Sequence, residues 1–335
     1  MDIHIHNQIE FEKILDYSFS ESISLTRQRI SIQQFLDQKD GDSTDNDREK
    51  LINHLTKYTN DIKGLIEKLP GQVIEKQPCF SWSVDHEELA SACWIFEAIM
   101  PTVVNFQLHV ELGNLSIQEE EFKAANKYFK KAAILAKESE ALTTSWKWKL
   151  PYMNHKIMAP NWHSGQALKA ETLQQLCTIA VGINTETNDK AMYTLSQRAL
   201  RAASLSYIQW KTKHADELIK IADGLRYMYS SNILWNREDY GQSIHRLEHW
   251  LVGQSIETGH WRIIELEFQK IPFLLQERHH TNNGAYFEAV RPSTELPNIE
   301  DIIHKKNIKH PGKESNVGPI TGDRLSNPEN LNEEQ

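Results

Sequence analysis

Cysteine, glycine, proline and long apolar runs are all scarce: the 335 residues hold three Cys, 14 Gly and 11 Pro. Cys79, Cys93 and Cys177 are odd in number, far apart and set among apolar neighbours, a pattern of reduced, buried thiols and not of a disulfide framework. No stretch approaches the roughly 18 uninterrupted apolar residues of a spanning helix. The opening MDIHIHNQIEFEK lacks a basic segment followed by an apolar run, so neither secretion nor membrane insertion is expected. The closing NLNEEQ holds no cysteine for a prenyl anchor. An excess of basic residues is missing too, with 37 Lys and Arg against 46 Asp and Glu and a net charge of -9. That balance argues against a broad phosphate-binding surface, so no nucleic-acid partner is expected and the chain reads as cytoplasmic. G-x-x-x-x-G-K, G-x-G-x-x-G, G-x-S-x-G and C-x-x-C are absent, which leaves phosphate cradles, serine elbows and redox pairs without a candidate and implies no cofactor.

What is present is helical. Helix formers dominate, and 39% apolar content suffices for one large core or two modest ones. Residues 38 to 47, QKDGDSTDND, read as an acidic loop after an N-terminal segment, 1 to 45, with Asn46 and Glu49 capping the helix that follows. Leu51, Leu55, Tyr58, Ile62, Leu65 and Leu69 recur at helical spacing until Pro70-Gly71. The spacing predicts further helices from Glu87 to Leu112, with Pro101 inside it, and from Phe122 to Ala136 after a break at Gly113-Asn114. Residues 143 to 165 read as an irregular crossover. Helices then follow over Leu168 to Ile183, Lys190 to Trp210, Lys213 to Leu234, and from Tyr240 onward. Successive amphipathic helices of this kind make a tetratricopeptide-like stack, although no strict 34-residue period is kept. From Gly312 to residue 335 the composition is that of a disordered tail.

Metal chemistry has three sequence candidates. His245, Glu248 and His249 form H-x-x-E-H, which on a helix sets two imidazoles one turn apart and would suit a zinc hydrolase. The third ligand of such a site, a Glu about 70 residues downstream, would fall in 319 to 326, which offers Asp323 but no Glu. The same stretch places Ile244, Leu247 and Leu251 on one apolar stripe, so it reads equally as a packing helix. His4-Ile5-His6 lacks the alternating strands and helices of a barrel that would use it, and reads as a short strand. Asp40, Asp42, Asp45 and Asp47 lack the Gly and closing Glu of a calcium loop.

Four stretches, in order, resemble the Bro domain, a module of ESCRT-associated proteins of the Alix and Brox kind. They are LTKYTNDIKGLIEKLP followed by Phe80-Ser81-Trp82, then EFKAANKYFKKAAILAKESE from Glu121 to Glu140, DYGQSIHRLEHW from Asp239 to Trp250, and NNGAYFEAVRPSTELPNIE from Asn282 to Glu300. The resemblance implies an all-α fold over about residues 46 to 311: an elongated, boomerang-shaped helical domain with a small N-terminal β element. It also implies a non-enzymatic scaffold whose groove receives the C-terminal amphipathic helix of an ESCRT-III subunit, with recruitment to endosomal or other membranes. Apolar contact positions of the family fall on Thr178, Ala191 and Leu195, with Ile179 and Met192 adjacent. Glu119, Glu120 and Lys123 fall at or near polar contacts, where an acidic cluster would meet a basic helix. Only Leu195 is a bulky apolar match, and the small Thr178 and Ala191 leave open a helical-repeat adaptor for an unrelated peptide.

Overall fold

The computed structural model describes residues 3–15, 22–37, 44–69, 80–144, 155–211, 213–251, 259–286 and 288–290. All of them fall in one compact unit. Strands β1 (Ile3–Ile5), β2 (Phe80–Val84) and β3 (Glu87–Ser91) form an antiparallel sheet in that order, with Ile5 opposite Trp82 and Trp82 opposite Leu89. Phe80, Trp82 and Val84 point inward and are fully buried, as the two-residue period of a strand requires. His4-Ile5-His6 thus belongs to a short strand and its exit, His6 N–H donating to the Ser81 carbonyl at 3.1 Å.

The helices are α1 (Phe11–Ile14), α2 (Ser22–Asp37), α3 (Asp45–Lys68), α4 (Trp94–Gln118), α5 (Phe122–Thr143), α6 (Pro160–Asn184), α7 (Asp189–Gln209), α8 (Lys213–Trp235), α9 (Tyr240–Leu251) and α10 (Arg262–Thr281). From α3 to α9 each packs chiefly on its neighbours in sequence, so the expected all-α, tetratricopeptide-like stack with a small N-terminal sheet is the architecture found. The stretch before residue 46 is part of it where described: Ile3, Ile5, Phe11, Leu25 and Ile32 share one core with Tyr58, Trp82 and Phe96.

Several boundaries differ from the sequence reading, each for a local reason. The cap of α3 is Thr44 with Asp47, a reciprocal capping box two residues ahead of Asn46 and Glu49. Residues 87 to 91 are a strand and not the first turn of a helix. Asp85 and His86 adopt φ of 48° and 70° and close a two-residue hairpin without the glycine that would announce it. Gly113 lies inside α4, not at a break. The Phe129 ring lies where its side chain would be, 2.7 Å from an ideal Cβ, so a small residue lets α5 approach. The crossover ends early, because α6 opens at Pro160 with proline in its first turn, where a missing N–H costs nothing. Helices α2 and α10 are not expected from the sequence; α2 carries weak patterning. Cys93 and Cys177 are buried and unpaired, whereas Cys79, Trp146, Trp148, residues 38 to 43 and the 312 to 335 tail lie outside the described residues.

A buried charge ties the N-terminal elements together. Glu97 on α4 is fully buried and forms an ion pair with Arg29 of α2, itself 2% exposed, at 2.8 Å. The same carboxylate accepts from Tyr58 Oη of α3 at 2.6 Å and from Trp82 Nε1 of β2 at 2.8 Å. Arg29 also donates to the Asn7 carbonyl and to Asn7 Oδ1, and the latter accepts from the Ser81 amide at 3.1 Å. Burial, with the Glu97 charge adding to it, holds the Tyr58 phenol well above its usual pKa. At the other end of the stack, Arg278 of α10 is buried against α8 and α9. It reaches Asn232 Oδ1 at 2.6 Å and Ser243 Oγ at 3.0 Å and lies 5.1 Å over the Trp235 ring. Burial pulls its pKa down to about 10, with Asp189 and Glu277 opposing.

Two outcomes follow from these buried groups. Glu97→Gln leaves the Arg29 charge buried without a counter-ion and is expected to lower unfolding free energy in urea by about 3–5 kcal/mol. Burial pushes the His163 imidazole on α6 from 6.5 down to about 4. The folded chain therefore binds fewer protons than the unfolded chain between those values, and stability present above pH 6.5 is lost as pH falls toward 4. At about 1.4 kcal/mol per unit the loss from His163 is about 3 kcal/mol, and urea melts of His163→Phe should show that much less acid destabilisation than the parent.

Candidate partner-binding site

The residues expected from sequence to form a site are spread over the start of α5, α6 and the start of α7, with α6 packed between the other two. The turn between α4 and α5 is a Schellman-type cap: the Glu121 amide reaches the Ser116 carbonyl at 2.7 Å and the Glu120 amide reaches Ile117 at 3.0 Å. Glu120 occupies the left-handed position usually given to glycine, with φ 59°. Glu119, Glu120 and Glu121 are exposed there, just ahead of Lys123 and Lys127 on the first turns of α5.

Beside this turn is a cavity of about 760 Å³ lined by Glu120, Glu121, Phe122, Lys123, Ala124, Lys127, Tyr128 and, from the end of α6, Val181, Asn184 and Thr185. Its wall is apolar at Val181 and Ala124 and charged at the rim, the composition of a site that takes a side chain of mixed character. One turn further along α6, Thr178 is half-buried. Asn126 of α5 spans the gap, donating to Thr178 Oγ1 at 2.8 Å and to the Gln174 carbonyl at 3.1 Å, while Thr178 Oγ1 donates to that same carbonyl at 3.0 Å. The hydroxyl is therefore engaged with its own helix and with α5, and it offers its methyl outward only in part.

Across α6, Ala191 and Leu195 sit half-exposed on the first two turns of α7, held there by the Asn188 cap, whose Oδ1 accepts from the Ala191 amide at 3.0 Å. Gly182 permits this approach, because a Cβ there would lie 2.5 Å from Met192 Sδ. Thr178, Ala191 and Leu195 are half-exposed and Glu119, Glu120 and Lys123 are exposed, and of these six Glu120 and Lys123 line the cavity. Ile179 and Met192, 0% and 1% exposed, are interior residues that back the junction and present nothing to a partner. The sequence reading missed Asn126 and the cavity lining at Phe122, Tyr128 and Val181. The available signal was Asn126 itself, a polar residue on the edge of an otherwise alanine- and phenylalanine-lined helix.

The H-x-x-E-H stretch does not gather as a zinc site. Ile244 and Leu247 are fully buried and carry the packing of α9. Glu248 accepts a 2.8 Å hydrogen bond from His279 Nε2 of α10, and the rings of His245 and His249 are 6.3 Å apart, with His249 against Tyr227. Among the described residues no cluster of three or more His, Cys, Asp or Glu side chains is placed to hold a metal. None of the described helices is long and apolar enough to cross a membrane.

No protein-family model matches the sequence, and no curated protein matches it either. Solved structures do match in shape. The ALIX BRO1–CHMP4C complex aligns with a TM-score of 0.71 over 89% of this chain and 91% of that one, at 15% identity. ALIX in complex with the SIVmac239 PYKEVTEDL late domain aligns at 0.70, again at 15% identity, over 89% of this chain and 46% of that longer chain. A structure titled for endosomal targeting by the Bro1 domain aligns at 0.62 and 11% identity, over 90% and 89%. The fold is that of a Bro domain.

Glu120 gives this site a measurable strain. A non-glycine residue in the left-handed region costs roughly 1–2 kcal/mol, so Glu120→Gly should raise unfolding free energy by about 1 kcal/mol in urea while removing a charge from the cavity rim.

Proposed function

We propose that this chain is a non-enzymatic Bro-domain scaffold whose α5–α7 junction binds the C-terminal amphipathic helix of an ESCRT-III subunit, in endosomal sorting or membrane remodelling. The observation that carries this reading is an open cavity between the start of α5 and the end of α6, lined by Glu120, Lys123, Val181 and Thr185, on a fold whose solved neighbour is in complex with CHMP4C. A helix docks into such a junction by placing an apolar stripe between two helices while its polar flanks pair with charged rims. The partner's binding brings the scaffold to the membrane where ESCRT-III assembles, which accounts for a cytoplasmic chain acting at an endosome without a spanning segment.

Leu195 is the bulkiest apolar group of the set, and its neighbours are small. A single anchor of this kind contributes a few kcal/mol to a helix-in-groove contact, and losing it suffices to remove a micromolar interaction. Pull-downs against a panel of ESCRT-III C-terminal peptides, CHMP4C among them, should recover the parent chain and lose at least tenfold in binding with Leu195→Asp. Retention of no peptide in the panel would favour an adaptor for an unrelated peptide.

A further inference from the structure

Beyond α10 the chain turns back over the start of α9. The amide of Asn282 reaches the Arg278 and His279 carbonyls, and one wide π-type turn follows over Asn282–Tyr286. The Asn282 side chain belongs to a residue only 1% exposed; it donates to the Glu288 carbonyl at 2.8 Å and accepts from the Glu288 amide at 3.1 Å. Glu288 Oε2 in turn accepts from the Gly241 amide at 2.9 Å, one of the donors that the first turn of a helix leaves without a partner of its own. The Tyr286 ring stacks on Tyr240 with centroids 3.8 Å apart, and Tyr240 lies edge-on to Trp235. Gly241 has no room for a Cβ, because the Ala289 carbonyl fills the space. Tyr286, Glu288 and Ala289 thus form a latch on α9. Asn283, Gly284 and Ala285 link it to Asn282, and all three are exposed.

That link holds the single Asn-Gly pair of the chain. Nothing lies within 4 Å of where a Gly284 Cβ would be. An asparagine ahead of a glycine carries its own electrophile and nucleophile. The Gly284 backbone nitrogen attacks Asn283 Cγ, the bond from Cγ to the side-chain nitrogen breaks, and ammonia departs from a five-membered succinimide. Water then opens either carbonyl and leaves aspartate or isoaspartate at 283. Glycine permits the approach because no Cβ crowds its nitrogen and its backbone reaches conformations closed to other residues. Position at the frayed end of a helix adds to that freedom. Asn282 is held instead, with both ends of its amide bonded and its side chain out of water. We infer that Asn283-Gly284 is a site of non-enzymatic deamidation, and that isoaspartate there releases the latch from α9. The isoaspartyl product routes the main chain through Cβ, which adds one carbon to a three-residue link whose two ends are fixed. It also places a carboxylate at the negative end of the α10 dipole. Asn282 and Tyr286 then cannot both keep their contacts, and the Gly241 amide loses its acceptor. The inference stands apart from the docking function, since it involves no residue of α5, α6 or α7.

The test ages the full chain at 37 °C and pH 8 beside a sample unfolded in urea, and follows the mass of each proteolytic fragment. The folded protein should convert at 283 at no less than a tenth of the unfolded rate, with isoaspartate identified by enzymatic methylation of its carboxylate. Asn283→Gln, which needs a six-membered ring, and Gly284→Ala, which crowds the nitrogen, should each slow the reaction at least tenfold. Both positions are exposed, and circular dichroism reports whether the fold is kept. Hydrogen exchange then reads the latch: the Gly241 amide should exchange at least tenfold faster in the aged parent than in aged Asn283→Gln. A folded chain that converts more than tenfold slower than the unfolded one overturns the site. Conversion at 283 with Gly241 exchange unmoved overturns the release, and so does an equal rise of that exchange in aged Asn283→Gln.

Discussion

At the position of Glu97 the protein places a full negative charge where water does not reach, and four elements are organised around it. Arg29, Tyr58 and Trp82 arrive from α2, α3 and β2, each spending a hydrogen-bond donor on the same carboxylate. A buried carboxylate is tolerated only when its charge and lone pairs are met with good geometry, so the relative placement of these elements is constrained more tightly than apolar contact alone would demand. Through Arg29 the constraint extends to Asn7, and through Asn7 to the Ser81 amide and the edge of the sheet. The start of α4 is therefore fixed in angle, and α5, α6 and α7 stack outward from it. The packing of α5 to α7 inherits its starting angle from this hub although none of their residues touches it.

Helical patterning disclosed α3, α5, α7, α8 and α9 well, because each has one apolar stripe and a polar outer face, and their ends fell within a few residues of the expected ones except at α5, which runs on from Ala136 to Thr143. It failed on α4 at both ends, for opposite reasons. Buried nearly all round, α4 has no polar stripe to mark its course, and its interior Gly113 looks like a terminator until Phe129 is seen lying against it. Its supposed first turn is a strand because Asp85 and His86 make a hairpin turn with residues that carry no strong turn signal. Glu97 itself was invisible, since a carboxylate in a helix reads as a surface residue unless its partners, 68, 39 and 15 residues away, are known.

Motif order points to Thr178 on α6 and to Ala191 and Leu195 on α7, two helices that the fold packs side by side. Burial then separates them from Ile179 and Met192, a distinction that a one-turn neighbourhood in sequence cannot make, because successive helical residues point about 100° apart.

Arg278 gives the far end of the stack a property that a row of helices does not have by itself. An array in which each helix leans mainly on its neighbours loses order from its ends inward, one helix at a time. Here α10 inserts a guanidinium between α8 and α9, where Asn232 in turn holds Asp189 at the start of α7. Detaching α10 would uncover polar groups on α8 and α9, so it cannot peel away cheaply. With Glu97 fastening the opposite end, the array is closed like a bracketed row of books: loosening it from either side has to expose a buried charge along with its apolar surface.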